Sequence, residues 1–338
     1  MRLTLAVVIL NYNTADLLGK YLPSVVEYSG QAEIVFVDNC STDDSVRYVE
    51  ENYPRIRIIR LDRNYGFTGG YNKALQQVKA DCYCLLNSDV EVTPGWTEPL
   101  LRMMQDNDSI AACQPKLLSY CERNKFEYAG AAGGYIDYLG YPFCAGRVFN
   151  HIEEDRGQYN DPREVFWASG AALVVRSELF HRFGGLDERF FAHMEEIDLC
   201  WRLKNAGYKI CYNPESVVYH LGGGTLNKTS SRKTYLNFRN NLLLLHKNLP
   251  EKEKTKVFLV RACLDFIAAT VFLLQFKPSE TKAVWTAHKD FRKMKKLYYG
   301  QISTVGEYPS CVCFRSIVFA AWISGKKCFN QLLDYIKQ

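Results

Sequence analysis

Residues 1–90 alternate short apolar runs with segments in which apolar side chains recur at helical spacing. The apolar runs predict four strands, at 5–10, 33–37, 57–61 and 82–86. The segments between them predict three helices, at 17–28, 45–52 and 70–79. Strands that are apolar on both faces and separated by helices are typical of a parallel sheet covered by helices. The pattern therefore predicts an α/β fold with a Rossmann-like, mostly parallel sheet flanked by helices.

The pattern is less regular in residues 94–160, where clustered Gly and Pro predict loops and a hairpin. Beyond this region, apolar runs predict a buried strand and two short extended segments, at 166–175, 209–212 and 217–220. Two further helices, each followed by glycine, are predicted at 177–183 and 195–206.

The C-terminal part departs from this α/β pattern. Residues 257–276 are apolar except for Arg261, Asp265 and a few small polar residues, and they approach the roughly 20 residues that span a bilayer. Each of the two charges would cost about 2.5–3.5 kcal/mol in hydrocarbon, and their spacing of four residues lets them pair on one helix face. We therefore predict an interfacial or core-packed helix instead of a membrane span, within a C-terminal helical tail.

Basic side chains are concentrated in the same region. Residues 247–338 contain 16 of the 42 Lys and Arg residues but only 7 of the 37 Asp and Glu residues. This asymmetry, with the cluster at 292–296, suits a polyanionic partner, and a solvated basic helix is the alternative explanation. Because an apolar helix lies beside the cluster, we expect a membrane surface and no nucleic acid. The predicted domains are an α/β domain at 1–240 and a basic, amphipathic, membrane-associated helical region at 241–338.

The twelve cysteines lack the spacing of a disulfide framework, and several lie inside apolar runs. Buried free thiols behave as small hydrophobic side chains and are typical of a reducing compartment. Met1 leads almost directly into an apolar strand, without the charged region and cleavage site of a secretory signal. We therefore expect a cytoplasmic protein, held peripherally on the inner face of the plasma membrane.

Polar side chains follow the predicted strands at the edge where open α/β sheets bind ligands. Asn11 ends the first strand, where a capping turn also explains it, and Asp38 ends the second, where it can accept hydrogen bonds from ribose or a base. A glycine-rich loop at 63–74 matches neither GxGxxG nor a phosphate-binding P-loop. The loop therefore argues against a dinucleotide oxidoreductase and against a P-loop NTPase.

The fourth strand runs directly into Asn87, Ser88 and Asp89. Two oxygen-bearing side chains at a strand end can hold Mg²⁺ or Mn²⁺ while leaving coordination positions for a diphosphate. Asn, Ser and Asp also favour turns, so a simple turn is the alternative explanation.

Three carboxylates, Glu195, Glu196 and Asp198, lie at the predicted start of the helix at 195–206. The helix dipole stabilises them, but crowded carboxylates also raise one another's proton affinity, which suits a general base. Apolar neighbours on both sides indicate a partly buried cleft. Downstream, His220 ends an extended segment beside the glycine-rich residues 222–225.

Together these segments resemble the family 2 inverting glycosyltransferases of the GT-A fold, particularly the rhamnosyltransferase-like members. The resemblance covers residues 4–225 and ends near His220. It depends on the order and spacing of the motifs VVILNYN, EIVFVDNCSTDDS, RNYGFTGGYNKAL, LLNSDVEV and GGLDERFFAHMEEIDLCWR. Each motif is weak alone, but the set is specific.

The resemblance implies a nucleotide-sugar donor and a divalent cation, Mn²⁺ or Mg²⁺. The residues that would bind the donor are Asn11, Asp38, Asn64, Asn72, Asn87 and Asp89. Asn87-Ser88-Asp89 stands at the family's D-x-D motif, so Asp89 is the expected metal ligand, together with His220. Asn87 departs from the motif and is expected to contact the donor sugar or the ribose.

The resemblance also implies a base and an acceptor site. Glu195-Glu196 stands at the family's acidic pair, usually Glu-Asp, and Glu196 is the expected general base. Because Glu reaches one methylene further than Asp, Glu195 remains the alternative. Trp167 and Asp198 are expected to border the acceptor, a hydroxyl of a glycan or of a lipid-linked sugar.

Two other classes of function fit parts of the sequence. A sugar-phosphate nucleotidyltransferase also uses a Rossmann-like sheet and a metal, but it usually needs a basic glycine-rich loop that residues 11–20 lack. A non-catalytic, membrane-associated module that binds nucleotide-sugars is the third possibility.

Overall fold

The computed structural model describes residues 3–222, 231–298 and 306–337. A nine-stranded sheet forms its centre. Its strands are β1 (Leu5–Asn11), β2 (Glu33–Asp38), β3 (Arg57–Arg60), β4 (Cys82–Asn87), β5 (Val90–Val92), β6 (Ile110–Ser119), β11 (Arg163–Val165), β12 (Ala172–Arg176) and β13 (Lys209–His220). The strand order is β11-β13-β6-β12-β4-β1-β2-β3, and β5 pairs with β13.

The four predicted N-terminal strands form the parallel part of this sheet. β1 pairs in parallel with β2 on one side and with β4 on the other, and β3 extends the sheet beyond β2. Residues 5–9 are buried on both faces of the sheet, which is why the sequence shows a continuous apolar run here. The α/β fold predicted from the sequence is confirmed.

The other part of the sheet is largely antiparallel, so the sheet is mixed and not mostly parallel. β12 runs antiparallel to β4 and β6, whereas β13 is parallel to β6 and antiparallel to β5 and β11. The strand predicted at 166–175 is shorter than expected because the chain turns where the amide of Ala172 donates to the carbonyl of Ser169 at 3.1 Å. The two extended segments predicted at 209–212 and 217–220 form the single strand β13, whose register shifts between Asn213 and Val217.

Helices cover both faces of the sheet. They are α1 (Ala15–Tyr28), α2 (Ser45–Asn52), α3 (Gly66–Leu75), α4 (Thr97–Asp106), α5 (Ser177–Arg182), α6 (Glu195–Asn205), α7 (Ser231–Asn248), α8 (Glu251–Leu274), α9 (Pro278–Met294) and α10 (Ile317–Trp322). α3 begins at Gly66, earlier than predicted, directly after a turn in which the side chain of Asn64 accepts a hydrogen bond from the amide of Gly66 at 2.8 Å.

A smaller, five-stranded sheet lies beside the main one. Its strands are β7 (Gly134–Asp137), β8 (Pro142–Cys144), β9 (Arg147–Val148), β10 (His151–Ile152) and β14 (Val312–Cys313). β7 and β8 form the hairpin that the sequence predicts in this region. β14 comes from the C-terminal part of the chain and pairs in parallel with β7.

The C-terminal part packs into the core of the α/β domain. The predicted boundary between residues 240 and 241 lies inside α7. Leu242–Leu245 and Phe329 are completely or almost completely buried and belong to the same hydrophobic cluster as Tyr71 of α3. The helical character predicted for the tail is confirmed, but the tail and the α/β domain share one core.

Candidate active site

The ends of β1 and β2 bring Asn11 and Asp38 side by side, where the two residues are paired in register. The side chain of Asn11 donates to Oγ of Ser41 at 3.0 Å, and the amide of Ser41 donates to Asp38 Oδ1 at 3.0 Å. Both predicted donor-binding residues are almost fully buried in this network. Their positions at the carboxyl edge of the sheet agree with the place where such folds bind ligands.

Asn39, which the sequence analysis missed, connects β2 to the glycine-rich loop. Its Nδ2 donates to Asn64 Oδ1 at 3.1 Å and to the carbonyl of Gly66 at 3.0 Å, and its Oδ1 accepts from the amide of Tyr65 at 2.9 Å. The predicted residue Asn64 is thereby held next to the end of β2. The position of Asn39, directly after Asp38, is the only sequence signal that could have indicated this role.

The predicted residue Asn72 has a different set of partners. Its Nδ2 donates to the carbonyl of Leu186 at 2.7 Å, and its Oδ1 accepts from the amide of Leu186 at 2.9 Å. Both ends of the amide therefore fasten α3 to the loop that precedes α6. The contact of Asn72 with a donor stays a prediction.

Asp89 and His220 lie against each other beyond the end of β4. His220 Nε2 is 3.1 Å from Asp89 Oδ1 and 3.4 Å from Asn87 Nδ2. The pairing of β5 with β13 produces this contact, because it aligns Val90 with His220. The three residues that were singled out at the metal motif and at the late histidine are therefore in one place.

Glu127 is the fourth member of this cluster. Its Oε1 lies 3.5 Å from His220 Nδ1, so the imidazole stands between two carboxylates. Burial lowers the pKa of His220, but the charges and hydrogen bonds of Glu127 and Asp89 outweigh it and raise the pKa to about 10. No local motif marks Glu127, because a long-range contact alone brings it to the site.

The chemistry of this cluster fits a divalent cation only in part. Among residues 3–222, 231–298 and 306–337, no group of three or more His, Cys, Asp or Glu side chains is arranged to hold a metal ion. Asp89 and His220 nevertheless offer one carboxylate and one imidazole, which are ligand types that Mn²⁺ accepts. Two protein ligands leave room for diphosphate oxygens, as in sites that bind Mg²⁺ through one or two carboxylates and substrate phosphates.

Glu195 and Glu196 are the first two residues of α6. One carboxylate oxygen of each, Oε2, is buried and has no hydrogen-bond partner in the structure. Burial raises the pKa of both, and the charge of Glu196 raises that of Glu195 further. Glu195 is almost completely buried whereas Glu196 is partly exposed, so Glu196 is the more accessible of the two.

The loop before α6 is strained. Phe191, His193 and Met194 have φ of 66°, 69° and 74°, a region that non-glycine residues rarely adopt. Asn240 of α7 holds this loop, since its Nδ2 lies 3.0, 2.8 and 2.7 Å from the carbonyls of residues 190, 192 and 193. Strained backbone of this kind is often found at functional sites and persists only where its surroundings enforce it.

Gly170 places Glu196 beside the end of β4. A Cβ atom at Gly170 would lie 3.8 Å from the Cβ of Glu196. The next residue, Ala171, accepts a hydrogen bond from the amide of Asn87 at 3.0 Å. Gly170 therefore lies next to Glu196 of α6, and the residue after it, Ala171, contacts the start of the Asn87–Asp89 segment.

Asp198 is buried among charged and polar side chains between α6 and α7. It has no exposed surface, and its carboxylate pairs with Lys247 at 2.8 Å and Arg202 at 2.9 Å and accepts from Asn248 at 2.9 Å. Burial alone would raise the pKa of Asp198, but the two cations lower it to about 2. The carboxylate of Asp198 therefore fastens α7 to α6, and its contact with an acceptor stays a prediction.

Trp167 is likewise almost fully buried. Its Nε1 donates to the carbonyl of Tyr135 at 2.9 Å, and its ring packs directly on Gly134. A Cβ atom at Gly134 would meet the ring at 2.1 Å, so this position requires glycine. Trp167 joins the two sheets, and its contact with an acceptor stays a prediction.

Comparison with known proteins identifies the family. The sequence model of the family described as Glycosyl transferase family 2 matches residues 6–184, more than half of the chain. An N-acetylglucosaminyl-diphospho-decaprenol L-rhamnosyltransferase of Mycobacterium tuberculosis is 28% identical over 233 residues, which cover 64% of this chain and 75% of the relative. These matches favour the glycosyltransferase over the nucleotidyltransferase and the non-catalytic module.

Solved structures agree in fold. TarS of S. aureus, solved as residues 1–349 in complex with UDP-GlcNAc, has a TM-score of 0.56 at 17% identity, with 85% of this chain and 80% of that chain covered. The mannosyltransferase PcManGT of Pyrobaculum calidifontis, solved with GDP-Man and Mn²⁺, has a TM-score of 0.52 at 14% identity, with 88% and 81% covered. The chain therefore belongs to glycosyltransferase family 2, is rhamnosyltransferase-like, and has the GT-A fold.

Proposed function

We propose that this glycosyltransferase moves a hexosyl or deoxyhexosyl group from a nucleotide-diphosphate sugar to a hydroxyl of a glycan or lipid-linked acceptor, with inversion at the anomeric carbon. One observation supports this proposal most directly. Glu196 is partly exposed, and one of its carboxylate oxygens is buried without a hydrogen-bond partner. It lies beside the end of β4. Just beyond that end, Asp89 contacts His220. The segments that carry a potential base and a potential diphosphate site are thus neighbours through Gly170 and Ala171.

The donor lies across the carboxyl ends of β1, β2 and β4. Asn11, Asp38 and Asn64 line the nucleotide, and their shared network with Ser41 and Asn39 holds them in fixed orientations. Asn87 is close enough to this edge to contact the donor sugar or the ribose. Preformed hydrogen-bond networks reduce the ordering that binding would otherwise require.

Asp89 and His220 would hold the divalent cation together with diphosphate oxygens. When bound, the cation supplies charge neutralisation of the departing nucleoside diphosphate. Glu127 orients the imidazole from its far side, in the way that carboxylates orient metal-bound histidines. The Mn²⁺ in the PcManGT structure supports this proposal.

Glu196 acts as the general base. The acceptor oxygen attacks the anomeric carbon from the face opposite the diphosphate, the bond from that carbon to the phosphate oxygen breaks, and Glu196 takes the hydroxyl proton. Burial supports this role because it raises the proton affinity of the carboxylate toward that of an effective base. One displacement of this kind inverts the anomeric configuration.

Glu196→Gln tests the proposed base. We expect kcat to fall at least a hundredfold, in line with the usual contribution of general base catalysis. The dissociation constant for the donor should stay unchanged because the amide has the same shape. The matched control is Glu195→Gln, which should retain turnover, and wild-type turnover of Glu196→Gln would remove Glu196 from this role.

A donor screen tests the reaction itself. Release of nucleoside diphosphate from several nucleotide-sugars, dTDP-rhamnose included, is measured with a polyprenyl-diphosphate-linked sugar as acceptor. The name of the mycobacterial relative supports this choice of acceptor. We expect release to require the acceptor and to stop with a chelator, and the product to have the opposite anomeric configuration by NMR. Release without transfer to any acceptor would contradict the proposal.

The remaining proposals concern location. Residues 1–240 carry the proposed catalytic residues, and residues 241–338 form the region that meets a membrane on the cytoplasmic face. α8 is, in the described part of the chain, the one helix long and apolar enough to cross a membrane by length and composition, and 22% of its apolar window is buried. A lipid-linked acceptor would be reached most easily from such a surface.

A further inference from the structure

The outward face of α8 is a continuous apolar surface. Leu259, Phe266, Ile267, Leu273 and Leu274 recur at helical spacing and are between 55% and 73% exposed. Ala262, Cys263 and Thr270 are the other exposed residues of α8 after Lys256, so no charge interrupts this face over four turns. A monomeric soluble protein rarely exposes so many large apolar side chains together.

The inward face of the same helix carries the two charges that follow Lys256. Arg261 and Asp265 are almost completely buried and pair at 3.3 Å, and His288 of α9 contacts the second carboxylate oxygen at 2.9 Å. Arg261 also donates to the carbonyl of Leu139 at 2.9 Å and to Asn241 of α7. If α8 spanned a membrane, these groups would lose their partners and face hydrocarbon, where isolated charges are costly.

α9 continues this surface and adds positive charge to it. Trp285 is 53% exposed and lies edge to face with Phe266, with 6.1 Å between ring centroids. Lys282, Lys289 and Arg292 stand three, four and seven residues from Trp285, which places them on the same side of the helix. Among the described residues, these three cations form no ion pair within 4.0 Å.

We propose that α8 and α9 bind an anionic lipid bilayer in its plane, with the apolar face of α8 and Trp285 inserted and Lys282, Lys289 and Arg292 against lipid phosphates. This proposal specifies which residues make the membrane contact of the proposed function, and its biological role rests on that function. An amphipathic helix with an aromatic residue at its edge and basic residues beside it is the usual form of an interfacial anchor.

The charges favour a lipid surface over a second copy of the chain. A second copy would bring the same uncompensated cations near each other, whereas anionic headgroups neutralise them. A headgroup layer also accommodates an apolar stripe that is flanked by cations along one side, because the stripe and the cations then lie at their preferred depths.

Vesicle flotation of the full-length protein without donor tests the proposal. Vesicles of phosphatidylcholine with phosphatidylglycerol should bind the protein, and pure phosphatidylcholine should bind it at least tenfold more weakly. Phe266→Ser with Leu274→Ser, and separately Lys282→Gln with Lys289→Gln and Arg292→Gln, should each reduce binding to mixed vesicles at least tenfold. The matched control replaces the exposed Lys79 and Arg102 of the α/β domain by Gln and should bind normally.

Three outcomes would overturn the proposal. They are unchanged flotation of both patch variants, a dimer in solution that the Phe266→Ser and Leu274→Ser changes dissociate, and protein that alkaline carbonate cannot extract from membranes. Thermal denaturation and donor binding of each variant should match the wild type, which verifies folding. Because flotation needs no turnover, an inactive enzyme that still floats would count against the proposed function and not against the membrane surface.

Discussion

Glu196 and Asp198 are carboxylates two residues apart on α6, yet their surroundings give them opposite properties. Asp198 faces two cations, which keep it ionised, whereas Glu196 has a buried carboxylate oxygen without a hydrogen-bond partner. Desolvation acts on both, and the charges of Lys247 and Arg202, together with the hydrogen bonds from Lys247 and Asn248, lower the pKa of Asp198 alone. A carboxylate in the first environment stabilises the fold, and one in the second can exchange a proton.

The pH dependence of turnover should therefore report Glu196. A base works only when it is deprotonated, and burial raises the pKa of Glu196 above the ordinary value of about 4.3. We expect kcat to be low in acid, to increase with pH and to reach its plateau well above that value. Steady-state kinetics with saturating donor across the pH range measure this. An acid limb at the ordinary pKa of glutamate would contradict the proposed environment of the base.

Asp198→Asn should destabilise the fold. The substitution removes the carboxylate that pairs with Arg202 and leaves Lys247 with Asp187, at 2.7 Å, as a carboxylate partner. Breaking a buried ion pair typically costs about 3–5 kcal/mol. The folded-state pKa of Asp198 is lowered to about 2, so its stabilising effect is complete above the ordinary pKa of about 3.9 and is lost as pH falls toward 2. Urea unfolding should therefore show a large difference from wild type near neutral pH and a shrinking one in acid. Asp16→Asn, at an exposed site of α1, is the control.

At the scale of elements, α7 maintains the conformation of the loop before α6. Asn240→Ala removes the hydrogen bonds to three carbonyls of this loop, in which three residues have positive φ. Each such residue costs about 1–3 kcal/mol and relaxes once its restraint is gone. We expect kcat to fall about tenfold or more while KM for the donor changes little, because the proposed base Glu196 moves and the proposed donor site on β1 and β2 does not.

Asn237→Ala is the matched control for Asn240→Ala, since it removes a partly exposed amide from the same helix. It should leave kcat and KM unchanged. Equal losses in both variants would mean that α7 is merely destabilised, and an increased KM with normal kcat in Asn240→Ala would mean that the loop serves donor binding instead.

A strand can be predicted from the sequence when its own side chains are apolar and are buried by apolar neighbours. β1 and β4 are covered on both faces by apolar neighbours, so their apolar runs are visible. β6 is just as buried but contains Gln114, Pro115 and Lys116, and Lys116 is accommodated through an ion pair with Asp155 at 2.7 Å. A strand that buries polar groups through long-range partners shows no apolar run, which explains why it was not predicted.

The same distinction applies to the site. Asn11, Asp38 and Asp89 follow apolar strands, and the edge of an α/β sheet is a general binding position, so local sequence indicates them. The contacts that bring Glu127 to His220 and Asn240 to the loop before α6 join residues that lie 93 and 47 to 50 positions apart. Nothing near them in sequence indicates such contacts, and only the folded chain brings them to the site.

At the scale of the whole molecule, the C-terminal part is a structural component of the α/β domain. Phe329 is completely buried against Tyr135, Phe143 and Tyr159 of the region around the smaller sheet, with ring centroids 4.7 to 6.2 Å apart. β14 adds a strand to that sheet, and α7 and α8 are joined through Asn241 and Arg261. Contacts of this kind couple the unfolding of the tail to that of the catalytic domain.

Phe329→Ala should therefore destabilise the entire chain. Loss of a buried phenylalanine side chain typically costs about 3–5 kcal/mol through lost burial and the cavity left behind. We expect one urea transition in the wild type and one in the variant, shifted to lower urea, with donor binding and far-UV circular dichroism lost together. Leu333→Ala, at an exposed position of the same segment, should leave the midpoint nearly unchanged. A shared core cannot lose one half while the other stays intact. If Phe329→Ala instead showed a second urea transition whose midpoint alone was shifted, residues 241–338 would unfold independently of the rest.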